Sequence, residues 1–186
     1  TPGAASPTAS QLALLLDAVQ RLGAPLDPES AQASVIAGAL RLTRAERAAI
    51  FRQDGEHHVL VFVCGRNENG DPLPEEAFRQ EAAAARDAVV LGHAVSADAW
   101  AATPLIQSDS VTGAVLVTGG ELADDAAMLL GAFAPHAAAC LDTARRFARL
   151  SRQITSQDHE RVTLQLLETR FAHSLSVEES LALTVE

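Results

Sequence analysis

The sequence contains no lysine and no tyrosine, and it has one tryptophan, one methionine and two cysteines. Its 14 basic residues are therefore all arginines, which are set against 24 acidic residues and leave a formal net charge of −10. An acidic chain without a basic stripe is a poor match for nucleic acid or for an anionic membrane surface. We therefore expect neither as a partner, and we interpret the one arginine cluster, at 145–152, as a solvated helix face.

Long uninterrupted hydrophobic runs are also missing. None approaches the roughly 18 residues that a membrane-spanning helix needs, and no basic segment followed by an apolar one marks a secretory signal. The two cysteines, Cys64 and Cys140, have apolar neighbours in the sequence, which is typical of reduced thiols buried in a cytoplasmic protein. With 48% hydrophobic residues, the chain has enough apolar material for a globular domain. We expect a cytoplasmic, globular protein.

The N-terminal part of the sequence predicts two helices. Residues 1–10 are rich in Pro, Ala and Ser, so we expect a disordered start, followed by an N-terminal helical region over 11–25. Asp27 followed by Pro28 marks the start of a second helix. That helix should run to about Leu42, and its apolar spacing predicts four buried residues: Val35, Ile36, Ala39 and Leu40.

Strand patterns follow the second helix. Arg47–Gln53 and His57–Gly65 flank an Asp-Gly pair at 54–55, which is a strong hairpin signal. The second of these segments is apolar nearly throughout, so we expect a central strand covered on both faces. A loop then leads to a predicted short helix over Glu75–Arg86 and a predicted short strand over Ala88–Leu91.

The clearest strand pair lies in 100–120, where two apolar segments flank a polar turn at 107–110. Pro104 lacks a backbone donor, so the first strand should there be at a sheet edge or a bulge. Gly113 predicts a bulge or a close backbone approach in the second strand. Val111–Thr118 is apolar on both faces, which indicates cover on each side of the sheet.

The C-terminal third predicts a long helix. Pro135 lies inside the helical pattern and should kink the helix or begin a new segment. Beyond it, apolar residues recur in alternating steps of three and four, which is typical of a coiled coil. We predict a dimer through a linker helix over 151–175 and its neighbours, with a seam formed by Phe147, Leu150, Ile154, Leu164 and Phe171. An ordinary helix lying on its own domain is the alternative.

The last residues resemble the start of the chain. Ser176 and Glu179 have the spacing of a capping box, which predicts the end of one helix and the start of another. The order of residue types over Arg170–Glu178 repeats that over Arg21–Glu29, 149 residues earlier. We therefore expect 176–186 to begin a following domain, which could be a second copy of the first.

No catalytic or metal-binding constellation emerges from the residues. His57 and His58 are adjacent in a predicted strand, so their rings should point to opposite faces and cannot hold one metal ion. Asp124 and Asp125 stand at the start of a helix, where carboxylates complement the helix dipole. We expect neither an enzyme nor a metal site.

The order of these elements over 26–150 resembles the GAF domain family. The segments that carry the resemblance are the opening of the second helix and the first strand, the hairpin around Pro104 and Gly113, and the closing helix: Leu26–Glu29, Ala45–Phe51, Ala102–Ile106, Val111–Val117, Met128–Leu130 and Ala137–Ala139. The resemblance implies an α+β fold of the GAF/PAS kind. It consists of an antiparallel sheet with flanking helices, the terminal helices on one face, and a long C-terminal signalling helix.

The resemblance also implies a function. GAF domains are sensory and regulatory modules, here expected in a bacterial multidomain signalling protein, that bind a small molecule under a short helix and signal through dimeric helices to an output domain. A ligand-free dimerisation and spacer module is the alternative from a different class, and an enzyme of the sulfoxide-reductase kind is a distant third. The candidate ligand-binding residues are Phe62, Cys64, Arg66, His93, Trp100 and Thr103.

Several GAF subtypes can be compared with this sequence. A chain without lysine lacks the Asn-Lys signature of the cyclic-nucleotide binders, and neither cysteine has the neighbouring histidine usual for a covalent bilin. His93 is the one histidine placed to ligate haem. The cofactor is therefore left open. The segment between Leu73 and Trp100 is shorter than is usual in the family, which predicts a shallow or vestigial pocket.

Overall fold

The computed structural model describes the backbone of residues 8–23, 25–55 and 59–182, and the side chains of these residues as far as 155. The chain divides into two compact units, one that ends at Arg145 and one that begins at Arg146. His57, His58 and the side chains of Leu164 and Phe171 lie outside the described part. The domain boundaries predicted above therefore stay predictions.

Four α-helices and six strands form the described chain. In sequence order they are α1 (Ala9–Leu22), α2 (Pro28–Thr43), β1 (Arg47–Asp54), β2 (Val59–Asn67), β3 (Pro72–Leu73), a 3-10 helix (Glu75–Phe78), α3 (Ala82–Leu91), β4 (Val95–Ala97), β5 (Trp100–Gln107), β6 (Ser110–Thr118) and α4 (Ala126–Ala182). The strands form one antiparallel sheet in the order β3-β2-β1-β6-β5-β4. This architecture confirms the predicted α+β fold with flanking helices and a long C-terminal helix.

The starts of α1 and α2 follow from capping. Thr8 and Gln11 form a capping box, so α1 begins two residues before the predicted Gln11 and overlaps the stretch expected to be disordered. Asp27 caps α2 by accepting hydrogen bonds from the backbone N–H groups of Glu29 and Ser30 at 3.0 and 2.9 Å. A hydrogen bond from the Ser30 side chain, together with those from the backbone N–H groups of Ser30 and Glu29, lowers the pKa of Asp27. The four residues predicted to be buried in α2 are all buried.

The sheet has helical cover on both faces. On one face, side chains of α1, α2 and α4 pack against Ile50, Val115 and Val117. On the other face, α3 and Phe78 pack against the alternate strand residues, such as Leu116. The predicted cover on both faces of the β6 strand is therefore confirmed, because its side chains alternate between the two clusters.

The position predicted for β2 is wrong. The central strands are β1 and β6, and the outer neighbour of β2 is the two-residue β3, which pairs only with Gly65 and Arg66. Val59 and Val61 are accordingly 54% and 39% exposed. An apolar run therefore determines neither the strand's place in the sheet nor how fully its side chains are covered.

The β5–β6 hairpin has the predicted form. Its turn places Ser108 and Asp109 at positive φ, as a tight two-residue turn between twisted strands requires. The β4 strand pairs only with Trp100–Ala102, so Pro104 lies on the open edge, next to a register shift at Leu105/Ile106. At Gly113 the β1 backbone comes so close that a Cβ atom would lie 2.1 Å from the carbonyl oxygen of Phe51. Both predictions are confirmed.

The segment 88–91 is helical, which corrects the strand predicted there. It forms the last turn of α3, which ends at Gly92 with φ +71°. The preceding alanines favour a helix, and burial of Ala88 and Val89 against the sheet outweighs the strand preference of the valines. The short strand β4 instead lies further along the chain, at Val95–Ala97.

The α4 helix is continuous from Ala126 to Ala182. It includes Pro135, which therefore does not begin a new segment, and it includes 174–179, so the helix break predicted from the capping pattern there is wrong. The Ser-x-x-Glu pattern at 176–179 has no capping role here, because the turns before it are helical. Whether another domain begins at 176 stays a prediction.

Ala126–Thr155 is long and apolar enough, by length and composition alone, to cross a membrane. In the first unit, however, its apolar side chains serve the domain core: Leu130, Phe133 and Ala137 are fully buried against the sheet side. A helix in the core of a globular domain can be just as long and apolar as a membrane-spanning helix.

Candidate functional site

The α3 face of the sheet, where the resemblance implies a ligand pocket, is filled by aromatic rings. Phe78 is fully buried, and its ring centroid lies 6.1 Å from that of Phe62, which meets Phe51 edge-on at 5.8 Å. The Phe78 ring lies so close to Gly65 that a Cβ atom there would be 2.3 Å from it. Three buried alanines let α3 approach the sheet closely: Ala84, Ala85 and Ala88. The described residues thus close this face by direct packing.

A bulge in β2 separates two of the predicted site residues. Ile50 pairs with Cys64 and Phe51 with Phe62, so Val63 is an extra residue between them. Side-chain alternation is therefore offset by one residue at this point. As a result, Phe62 packs on the α3 side, whereas Val63 and Cys64 pack on the side of α2.

Trp100 lies at one end of α3, away from the rings of Phe51, Phe62 and Phe78. It is half-buried and borders a depression of about 380 Å³ together with Asp87, Val90, Leu91 and Val95. Val90 and Leu91 are 68% and 56% exposed, so this surface is open. Trp100 therefore closes the edge of the α3 cluster rather than lining an enclosed cavity.

Thr103 and His93 meet in a third place, on the α4 face of the sheet. Both line a depression of about 270 Å³ next to Pro104 and Pro135. The exposed His93 ring is held by a 2.9 Å contact from its Nδ1 atom to the carbonyl oxygen of Ala94. The depression is below the usual range of ligand cavities, roughly 300–1,000 Å³, so it offers no room for haem.

The two thiols are unsuited to nucleophilic chemistry. Cys64 lies on β2 and Cys140 on α4, and both pack against the cluster formed with α1 and α2. Burial raises the pKa of Cys64 to about 11 and also raises that of Cys140, whose Sγ lies 3.9 Å from the carbonyl oxygen of Leu22. Both groups are therefore neutral thiols near pH 7.

This protonation state predicts slow alkylation of the folded protein. Below pH 9, a pKa of about 11 in place of 9.0 lowers the thiolate fraction of Cys64 roughly a hundredfold. In a Cys140→Ser background, iodoacetamide should therefore react with the native protein at least that much more slowly than with the urea-unfolded protein. Mass spectrometry of timed samples measures both rates, and equal rates would contradict the assignment of a half-buried, protonated thiol.

Arg66 belongs to a groove that the sequence patterns do not reveal. The groove, of about 700 Å³, lies between α2 and the β2–β3 turn. We call it the arginine groove, and its lining residues are Ala33, Ile36, Ala37, Leu40, Arg41, Arg44, Ala45, Arg66, Asn67, Glu68 and Gly70. In the sequence, Arg41 and Arg44 look like the usual basic residues at a helix C-terminus, and only the pairing of β2 with β1 brings Arg66 beside them.

The six predicted ligand-binding residues therefore occupy different places. Phe62 and Trp100 lie on the α3 side, Thr103 and His93 near α4, and Arg66 in the arginine groove, while Cys64 is packed into the helical cluster. They do not form one site. Of the predicted seam, Phe147, Leu150 and Ile154 are described, and these are 43%, 57% and 60% exposed on α4.

Solved structures that resemble the chain include several GAF domains. The GAF domain of an Acinetobacter phosphoenolpyruvate-protein phosphotransferase matches with a TM-score of 0.58 at 10% identity, over 77% of this chain and 99% of that one. The GAF-B domain of DevS from Mycobacterium smegmatis matches with a TM-score of 0.51 at 20% identity, over 67% and 99% of the respective chains.

An enzyme also has this fold. A free methionine-R-sulfoxide reductase from Neisseria meningitidis matches with a TM-score of 0.55 at 16% identity, over 77% of this chain and 95% of that one. No protein-family model and no curated protein sequence gives a significant match. At these identities the likeness concerns the fold: the chain has the fold of a GAF domain.

Proposed function

We propose that this chain is a regulatory GAF domain of a bacterial signalling protein that acts as a dimerisation and coupling module and binds no small molecule under α3. The observation that carries the proposal is the filled α3 face, where Phe51, Phe62 and Phe78 pack in direct ring contact. A sensory GAF domain of the expected kind needs room there for its ligand. The alternative drawn from the sequence is therefore better supported than small-molecule binding under α3.

Exposed apolar residues on the helices support dimerisation. On α1, Leu15 and Leu22 pack inward, whereas Leu12 and Leu16, one turn apart, are 50% and 58% exposed. On α4, Phe147, Leu150 and Ile154 follow the three-and-four spacing of a coiled-coil seam and stay exposed. Contact with the same residues of a second copy would remove these surfaces from water.

Substitutions in the seam test the proposal. The double variant Leu150→Glu with Ile154→Glu places two carboxylates in the seam, and burial of unpaired charges opposes association. We expect the variant to be a folded monomer in sedimentation-velocity experiments at concentrations where the unsubstituted chain is a dimer.

The matched control is Arg149→Glu with Arg152→Glu, on exposed positions of the same helix outside the seam. This control changes the net charge more than the seam variant does, yet it should remain a dimer. A seam variant that sediments as a dimer, or an unsubstituted chain that is monomeric, would exclude α4 as the dimerisation helix.

The proposed role includes no catalytic step. We also propose that the protein is cytoplasmic, as its composition predicts. Among the residues that the structure describes, no three His, Cys, Asp or Glu side chains are grouped to hold a metal ion. The family resemblance implies that a GAF-type sulfoxide reductase carries its cysteines in a mobile loop over the pocket, whereas Cys64 and Cys140 lie on β2 and α4. These features favour a regulatory module over an enzyme.

A further inference from the structure

We propose that the arginine groove binds a soluble organic anion, one that joins a carboxylate or phosphate head to an apolar body about as long as eight carbons. This site lies on the α2 side of the sheet, away from the α3 face that aromatic rings fill. The inference goes beyond the proposed dimerisation function, because it gives this chain a ligand site that dimerisation does not need.

The size and floor of the groove suit such a molecule. Its volume of about 700 Å³ lies within the usual range for small-molecule sites. Ala33, Ile36, Ala37 and Leu40 recur at intervals of three and four and form one apolar face of α2. The alanines leave space that larger side chains would occupy, while the buried Ile36 and Leu40 provide a fixed floor.

The rim of the groove is basic in an otherwise acidic chain. Arg41, Arg44 and Arg66 face it together with a single carboxylate, that of Glu68, although the chain carries a net charge of −10. Within the described residues, none of these three guanidinium groups forms an ion pair. A guanidinium group has a planar fork of donors that matches a carboxylate or phosphate.

Part of this rim is held in place before any ligand arrives. Arg66 donates from Nη1 to the carbonyl oxygen of Gly70 at 2.8 Å, which orients its guanidinium group. The Asn67 side chain accepts hydrogen bonds from the backbone N–H groups of Asn69 and Asp71 at 3.0 and 2.8 Å and so fixes the turn. A site whose side chains and loop are already ordered loses less conformational entropy on binding.

The length of the floor favours a small molecule over a partner helix. The apolar stripe on α2 spans seven residue steps from Ala33 to Leu40, or roughly 10 Å at a rise of 1.5 Å per residue. That length matches an extended eight-carbon chain. Helices shorter than about 12–15 residues, or roughly 20 Å, are marginal by themselves, so a docking helix would extend well beyond this floor.

Calorimetric titration tests the proposal with chosen probes. Octanoate and octyl phosphate should bind the full chain with a stoichiometry of one. Inorganic phosphate, which has the charge without the apolar body, and 1-octanol, which has the body without the charge, should each bind at least tenfold more weakly. If neither octyl anion binds with a Kd below 1 mM (roughly −4 kcal/mol), or if 1-octanol binds equally well, the proposal is wrong.

Two variants locate the binding site. Arg41→Gln with Arg44→Gln should weaken octanoate binding at least tenfold, which corresponds to about 1.4 kcal/mol. The matched control, Arg79→Gln with Arg86→Gln, removes the same charge from exposed positions outside the groove and should bind as the unsubstituted chain does. Equal effects of the two pairs would show that binding follows net charge rather than the groove, and would overturn the proposal.

A third variant tests the apolar floor independently of charge. Ala37 is exposed on α2, so Ala37→Trp should fold normally, as circular dichroism would show, while its indole occupies the groove and abolishes octanoate binding. Retained binding in a folded Ala37→Trp variant would place the ligand elsewhere. Sedimentation of the same variants separates the two proposals, since dimerisation through α4 should be unchanged in all of them.

Discussion

Replacing Phe78 by alanine should lower the free energy of unfolding by about 3–5 kcal/mol. The Phe78 side chain is fully buried. Its ring centroid lies 6.1 Å from that of Phe62, and its ring packs against the backbone of Gly65. Its removal takes away those contacts and leaves a cavity that the strands and α3 cannot collapse to fill. Urea denaturation followed by circular dichroism measures the change.

The matched control is Phe147→Ala, the same chemical change at a side chain that is 43% exposed. It should cost much less in the monomer, since a partly exposed ring has few contacts to lose. A loss below about 1 kcal/mol in Phe78→Ala would mean that the α3 face is loosely packed. Such a result would remove the main support for a module that has no ligand under α3.

The same variant provides a second readout that bears on function. An apolar cavity made by deleting a large side chain stays dry and can bind a small apolar molecule. Indole should therefore raise the melting temperature of Phe78→Ala and leave that of the unsubstituted chain unchanged. An equal rise in both would show that the unsubstituted α3 face already has room for a ligand, which would favour small-molecule sensing there.

Gly113→Ala should be the second strongly destabilising substitution. The added methyl group would lie 2.1 Å from the carbonyl oxygen of Phe51 and within 3.2 Å of the Arg52 Cα atom. Both contacts are to backbone of the central strand β1, which cannot move without disturbing its pairing with β2. We expect a loss of about 3 kcal/mol or more, measured by the same denaturation experiment.

Gly131→Ala is the matched control for that substitution. Gly131 lies in α4, and the nearest atom to an added methyl group is the Ala94 Cβ at 3.5 Å, an ordinary contact. Alanine is also the better helix former by about 1 kcal/mol, so this variant should be as stable as the unsubstituted chain or more so. If Gly113→Ala were equally well tolerated, the result would contradict the close packing of the β1 backbone against Gly113.

Local features of the fold were predictable because they depend on neighbours in the chain. Asp27 and Pro28 specify the start of α2 through capping and a fixed φ angle. Pro104 and Gly113 specify an edge and a close approach because each lacks a group that other residues have: a backbone donor and a Cβ atom. Such features depend on the chemistry of single residues and their neighbours in the chain, so a local pattern is enough to predict them.

The predictions that were wrong concern segments whose structure depends on contacts with residues distant in the sequence. Val89 and Val90 favour a strand by themselves, but the packing of Ala84, Ala85 and Ala88 against the sheet keeps them in α3. The β2 strand has the composition of a central strand, yet its outer neighbour is only two residues long. Neither outcome can be derived from a local pattern, because each depends on which surfaces meet after folding.

The predicted ligand site shows the same division. The antiparallel pairing within the two hairpins and the start of α2 could be predicted from the residues, because turn formation, capping and backbone chemistry act locally. Long-range strand pairing and packing place Phe62 and Cys64 on opposite faces of the sheet and fill the α3 side with aromatic rings. They also bring Arg66 to α2, because strand pairing across a one-residue bulge sets where each side chain points.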